Sequence, residues 1–162
     1  MASPRELLQL IVCGCEDDLA ASHVSTLSDP PTSDLLKLGI ARAALEREAD
    51  ALRNGSLYSS ALARGADELV SRLSDTAISV EAALAADAGL TNYHVRFALS
   101  DYVTTVPSLG AIVHAVLTGK LAGGALLDAL HAKAADGDRV VAKMFHRCVH
   151  VVPRLCVTLV AK

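Results

Sequence analysis

The sequence predicts an all-α fold: an elongated bundle of about six to seven antiparallel-leaning helices, read as the first part of a larger helical domain. Three observations lead there. Apolar residues recur at steps of three and four, and β-branched residues nowhere alternate with polar ones for long. The chain is 52% hydrophobic but only 3% aromatic and has no Trp, so its core is built of Ala and Leu, small enough for helices to approach closely. Helix start and stop residues punctuate the apolar runs, and 162 residues suffice for one domain with a real core.

The elements follow in order. Ser3, Pro4 and Glu6 supply an N-cap, a proline at the first helical position and a capping-box carboxylate. Helix one continues through Leu7, Leu8, Leu10 and Ile11 and is expected to end at Cys13-Gly14-Cys15 and the acidic Glu16-Asp17-Asp18. The serines and prolines between Ala20 and Thr32 read as a surface loop. Thr32 or Ser33 then caps a second helix with Leu35, Leu36, Leu38, Ile40, Ala44, Leu45, Ala49 and Leu52 at helical spacing. Arg42, Glu46, Arg47, Asp50 and Arg53 fall on its polar side, and Asn54-Gly55 stops it.

Ser56 caps a third, longer helix reaching about Asp87. Its residues Leu62, Ala66, Leu69, Leu73, Ala77, Val80 and Leu84 form a seam for burial against neighbouring helices. Gly65 inside it costs roughly 1 kcal/mol against Ala, which suggests a close backbone neighbour. Thr91 caps a fourth helix whose apolar content is Tyr93, Val95, Phe97, Leu99, Tyr102 and Val106. Pro107 is expected to restart the chain as a new helix from Ser108 to Leu117. Gly119, Gly123 and Gly124 connect it to a segment from Leu126 to Ala135, ended by Gly137. Asp138 opens a last helix, Val140 to about Leu159, bent at Pro153. Its apolar end at Leu155, Val157, Leu159 and Val160 is the reason to expect more fold beyond it.

Charge and composition narrow the function. The net charge is −3 and the Lys and Arg residues are scattered, so the concentrated basic face that nucleic-acid binding needs is missing. The longest uncharged run, Val103 to Gly119, is shorter than the roughly 20 apolar residues of a membrane span. No basic leader precedes the first apolar run, and a cytosolic location is the default expectation. In that setting Cys13, Cys15, Cys148 and Cys156 read as reduced thiols, with no disulfide.

Candidate chemistry is sparse. Cys13 and Cys15 with His146, Cys148 and His150 include good zinc-ligand types. Cys148, however, lies roughly 200° round a helix from the face shared by His146 and His150, so no metal site is assigned. No nucleophile elbow is present. Gly119-Lys120 and Gly123-Gly124 lack the spacing of a phosphate loop and read as a helix connection. Asp17, Asp18, Glu46 and Glu48 read as solvated carboxylates, and His114 and His131 as packing residues. The expectation is a non-enzyme without catalytic residues or cofactors.

The order of these segments resembles the N-terminal region of the gamma-tubulin complex component family, most closely its short fourth component. The resemblance is carried by Glu6-Leu7-Leu8 with Gly14, by Pro31-Thr32-Ser33 ahead of Leu35, Leu36 and Leu38-Gly39, and by Tyr58, Ala61, Gly65 and Leu69. It continues in His94-Val95, Phe97, Leu99 and Tyr102 before Val106-Pro107-Ser108, and in Gly123, Leu126-Leu127, Leu130-His131 and Gly137. Each is a packing motif of low specificity; their order and spacing carry the match. Many family aromatics are Ala, Val or Thr here, Pro153 interrupts the last helix, and the domain that holds gamma-tubulin in such proteins lies outside this sequence.

The resemblance implies a structural subunit, or a fragment of one, that packs side by side with other gamma-tubulin complex components. It would support microtubule nucleation at a microtubule-organising centre, touching gamma-tubulin only indirectly, with neither nucleic acid nor membrane as a partner. It implies a location in the cytoplasm and cytoskeleton, at microtubule-organising centres and spindle poles. The outer face of the long helix, with Arg64, Glu68, Arg72, Asp75 and Glu81, is the expected contact surface. The competing expectations are an unrelated helical adaptor or ligand-binding bundle and, behind it, a zinc-binding protein.

Overall fold

The computed structural model describes residues 3–13 and 29–135, and among these it shows six helices and no strand. They are α1 (Pro4–Cys13), α2 (Pro30–Leu52), α3 (Leu57–Ala86), α4 (Asn92–Ala98), α5 (Ser100–Leu117) and α6 (Gly123–Ala135). The all-α expectation therefore holds over the described residues. The loop from Ala20 through Ser28, the closing Gly137 and the last helix with Pro153 lie outside them.

The chain divides into two compact units, residues 1–45 with 70–107 and residues 46–69 with 108–162. In the first, Leu7, Leu8 and Ile11 of α1, Leu35, Leu38 and Leu45 of α2, and Leu73 and Ala77 of α3 are buried, with Val95, Leu99 and Val106 completing the core. In the second the core is Ala49 and Leu52 of α2, Ala61, Leu62, Ala66 and Leu69 of α3, Leu109 and Val113 of α5, and Leu126 and Leu130 of α6. The predicted α3 seam is buried at Leu62, Ala66, Leu69, Leu73, Ala77 and Leu84, while Val80 and Gly65 are half-buried.

Caps account for where the helices start. The Ser3 N–H donates to Glu6 Oε2 at 2.7 Å and the Glu6 N–H to Ser3 Oγ at 3.3 Å, the reciprocal capping box expected of that spacing. The bond from the Ser3 backbone N–H, then that with its side chain, holds the Glu6 carboxyl below its ordinary value. Ser56 Oγ likewise accepts from the Ser59 N–H at 3.3 Å.

The start of α2 corrects the sequence reading. The helix begins at Pro30, not after Thr32 or Ser33, because Asp29 is its cap: the Asp29 carbonyl takes the first helical bond from Ser33 N–H at 3.1 Å, and its carboxylate accepts from Thr32 Oγ1 at 2.6 Å. Two prolines are tolerated there because the first-turn N–H groups they lack would have had no helical acceptor.

Arg42 is a second correction. Expected on the polar side of α2, it is 7% exposed, and its Nη1 donates to the carbonyls of Ile11 at 2.9 Å and Val12 at 2.5 Å. Those carbonyls end α1 and have no acceptor role left within the helix, so the guanidinium of α2 caps α1. Leu10, counted with the apolar face of α1, is exposed.

The expected restart at Pro107 is not where the chain breaks. Instead α4 ends at Leu99, and Pro107 lies inside α5. Leu99 has φ −102° and ψ 11°, and its carbonyl accepts from both Tyr102 N–H at 3.0 Å and Val103 N–H at 3.1 Å, so a tight turn feeds directly into α5. Pro107 is exposed, on the side of α5 where its ring meets water rather than a neighbouring helix; a proline there bends a helix without ending it. The break also reassigns the aromatics. Asn92, Val95 and Leu99 face inward, whereas Tyr93 and Phe97 point out at 64% and 81% exposure.

At the other end of α5, the Lys120 N–H reaches the Ala115 carbonyl at 2.8 Å and the Gly119 N–H reaches that of Val116 at 3.0 Å. This is a Schellman motif, and Gly119 supplies its left-handed residue with φ +72°. Gly123, at φ +55°, then opens α6. The glycines near Lys120 thus form the helix connection expected of them.

Two outcomes test this packing by urea unfolding. Leu99→Ala is expected to destabilise by about 2–5 kcal/mol, as buried truncations do, and Phe97→Ala by no more than about 0.5 kcal/mol. Arg42→Ala is expected to cost about 1.5–3 kcal/mol, the range for hydrogen bonds made by a charged group, with Arg42→Lys recovering only part because an ammonium lacks the planar fork.

Candidate interaction surface

Surface follows from what the cores take. With the α3 seam buried, its opposite side carries mostly polar residues. Arg64 and Glu68 are exposed in one unit, and Arg72, Asp75 and Glu81 in the other. Successive steps of four, four and three put Arg64, Glu68, Arg72 and Asp75 along one side of the helix. Glu81, six residues beyond Asp75, is about 120° further round and lies off that strip. Four of the five predicted residues thus share a side, and the fifth does not.

Hydroxyls of Ser74, Thr76 and Ser79 fold back onto the carbonyls of Val70, Arg72 and Asp75 at 2.8–3.0 Å, which takes up side-chain donors that would otherwise face a partner. Thr76 Oγ1 is also 3.0 Å from the hydroxyl of half-buried Tyr102. Ile78, 58% exposed, adds an apolar side chain that sequence reasoning passed over. Its signal was its phase, since it fits none of the seam steps from Ala77 to Leu84.

The exposed pair Tyr93 and Phe97 was missed for a different reason. In a seven-residue helix an aromatic pair at i and i+4 and a set of Asn92, Val95 and the following Leu99 compete for the inward side, and sequence alone does not decide between them. The structure buries the second set by tying it to α2: Asn92 Nδ2 donates to Thr32 Oγ1 at 2.9 Å, and Arg96 Nε pairs with Asp34 Oδ2 at 2.7 Å. A shallow groove of about 420 Å³ borders Tyr93, with Pro4, Asp29 and Leu90 also in its walls. No nucleophile, base and orienting group are held together among the residues lining it.

Ion pairs elsewhere are surface features. Arg53 Nε lies 2.7 Å from Asp50 Oδ1 and its Nη2 2.9 Å from Asp67 Oδ1; Asp50's hydrogen bond, then the charge of Asp67, raises the guanidinium further above its ordinary value. His114, expected as a packing residue, is exposed, with Nδ1 2.9 Å from Glu48 Oε1. His131 is exposed on α6 as well. Both histidines fall on outer faces because Leu109, Val113, Leu126 and Leu130 fill the inner ones.

Among the described residues no group of three His, Cys, Asp or Glu side chains could hold a metal ion, and no helix is long and apolar enough to cross a membrane. Cys13 is an exposed free thiol. Cys15, His146, Cys148, His150 and Cys156 lie outside the described residues, as do Asp17 and Asp18.

Single alanine replacements at Arg64, Asp75 and Glu81 are expected to shift urea-unfolding stability by no more than about 0.5 kcal/mol each. A larger loss would show that these side chains hold the fold rather than decorate it.

Comparison with known proteins adds the family. Residues 17–161 match the family model described as gamma tubulin complex component N-terminal. No curated protein and no solved structure matches the chain significantly. Because that match spans most of the sequence, and the all-helical architecture agrees with it, this chain belongs to the gamma-tubulin complex component family through its N-terminal domain.

Proposed function

We propose that this chain is a structural subunit of a gamma-tubulin complex, related most closely to the fourth component. It supports microtubule nucleation by packing its helices against those of neighbouring components. Gamma-tubulin is reached through those neighbours, and the chain works in the cytoplasm and cytoskeleton at microtubule-organising centres, spindle poles included. The observation that carries the reading is the family match over residues 17–161. It is supported by the long helix α3, whose buried seam leaves an outward side carrying Arg64, Glu68, Arg72 and Asp75.

Physically, such a side suits partner choice. Mixed charges on a rigid helix set orientation and exclude wrong neighbours, while apolar residues at the centre of a contact supply affinity. Ile78 is positioned to be one such residue on α3.

The test is a pull-down of the full chain with other components, using the triple variant Arg64→Glu, Glu68→Lys, Arg72→Glu. Circular dichroism is expected to remain that of the parent, and co-assembly to fall about tenfold, from like-charge contacts that each cost on the order of 1 kcal/mol or more. Undiminished co-assembly would remove α3 from the contact. Failure of the unaltered chain to bind any component would remove the subunit reading itself.

A further inference from the structure

We propose that Asn54 is a site of spontaneous deamidation, through which the connection between α2 and α3 gains a carboxylate with no enzyme involved. The chain has two asparagines, Asn54 and Asn92, in opposite surroundings. Asn92 is 6% exposed, precedes Tyr93 and donates to Thr32 Oγ1 from Nδ2. Asn54 is exposed and precedes Gly55 in the connection 53–56, where no helix fixes its backbone. Packing keeps the glycine: a Cβ at residue 55 would stand 3.1 Å from Ser59 Cβ and 3.2 Å from the Leu52 carbonyl oxygen. The same lack of a side chain leaves the Gly55 nitrogen open to approach by Asn54 Cγ. One restraint opposes the reaction, the bond from the Gly55 N–H to the Leu52 carbonyl at 3.1 Å, and it belongs to an exposed turn.

The chemistry is a cyclisation followed by hydrolysis. The Gly55 nitrogen gives its proton to hydroxide and attacks Asn54 Cγ. The N–Cγ bond forms, the Cγ–Nδ2 bond breaks, and the side-chain nitrogen takes a proton from water and leaves as ammonia. Water then opens the succinimide. Addition at Cγ returns the ordinary backbone with aspartate at 54, and addition at the Asn54 carbonyl carbon routes the chain through Cγ as isoaspartate. In both, the water hydroxyl ends in a new carboxylate and its hydrogen returns to the Gly55 nitrogen, with nothing oxidised or reduced. The net charge of −3 becomes more negative by one. That charge falls next to Arg53, whose guanidinium already serves Asp50 at 2.7 Å and Asp67 at 2.9 Å and whose carbonyl accepts from Ser60 Oγ at 3.0 Å. Isoaspartate also adds a methylene to the backbone, which lengthens the turn that the Gly55–Leu52 bond closes. The modification therefore changes both the charge and the geometry of the segment joining the two long helices.

Incubation of the full-length chain at about pH 6 and about pH 9, followed by peptide mapping by mass spectrometry, tests this. The peptide holding residue 54 is expected to gain about 1 Da and to separate into aspartate and isoaspartate forms, faster at the higher pH because the deprotonated nitrogen is the attacking species. The peptide holding Asn92 is expected to keep its mass. Conversion in the folded chain is expected to lie within about tenfold of that in a free peptide of residues 50–60, since one surface hydrogen bond is all that must open. Asn54→Gln, which has to close a larger ring, is expected to abolish the gain. No gain at residue 54 under conditions that convert the free peptide, or a gain that persists there in Asn54→Gln, overturns the proposal.

Discussion

Burial of one side of α3 is the constraint on which the rest depends. Leu62, Ala66, Leu69, Leu73, Ala77 and Leu84 are nearly inaccessible to water, and each removes apolar surface at roughly 25 cal/mol per Å². Two of these positions, Ala66 and Ala77, are alanine. Small side chains bring little area each, so the helices compensate by approaching closely and by offering length: α3 has 30 residues and α2 has 23. A core of this kind tolerates few polar intrusions. Those present, such as Arg42, Asn92, Thr32 and Thr105, each find a hydrogen-bonding partner on the backbone or on another side chain.

Helix ends form the second layer of determination. The Glu6 carboxylate, the Ser3 and Ser56 hydroxyls and the His94 imidazole accept N–H groups at helix starts, the Asp29 carbonyl takes the first helical bond of α2, and a left-handed Gly119 closes α5. The Arg42 contact belongs to the same accounting, since it serves the carbonyls at the end of α1 from a different helix. Local rules found the caps at Ser3 and Ser56 but set that of α2 at Thr32 or Ser33 instead of Asp29. They missed the one made across 31 positions.

The exposed surface is what packing leaves over. On α3 the same phase that buries Leu69 and Leu73 turns Glu68, Arg72 and Asp75 outward, so their exposure could be read before any coordinates. Glu81 shows the limit of that inference: being off the seam does not place a residue on the same strip as its fellows. The aromatic pair on α4 shows another. Tyr93 and Phe97 belong by hydrophobicity to a core, and they are outside it because Asn92 and Arg96 are tied to α2. Membership of the gamma-tubulin complex component family fits a chain whose described residues are conspicuous for packing faces and exposed charges.

What the sequence by itself determined is local and periodic: the helical class, the α3 seam, the capping box at Ser3, the stop at Gly55 and the glycine connection after α5. Each follows from residues within about two helical turns of one another, where spacing and backbone chemistry are sufficient. Only the tertiary structure decided that Arg42 is buried, that Asp29 rather than Thr32 begins α2, that the break falls at Leu99 rather than Pro107, and that Phe97 faces water. The physical reason is common to the first and last. A side chain able to lie either inward or outward is placed by which distant backbone or side chain meets it, and that partner is not encoded in its own neighbourhood.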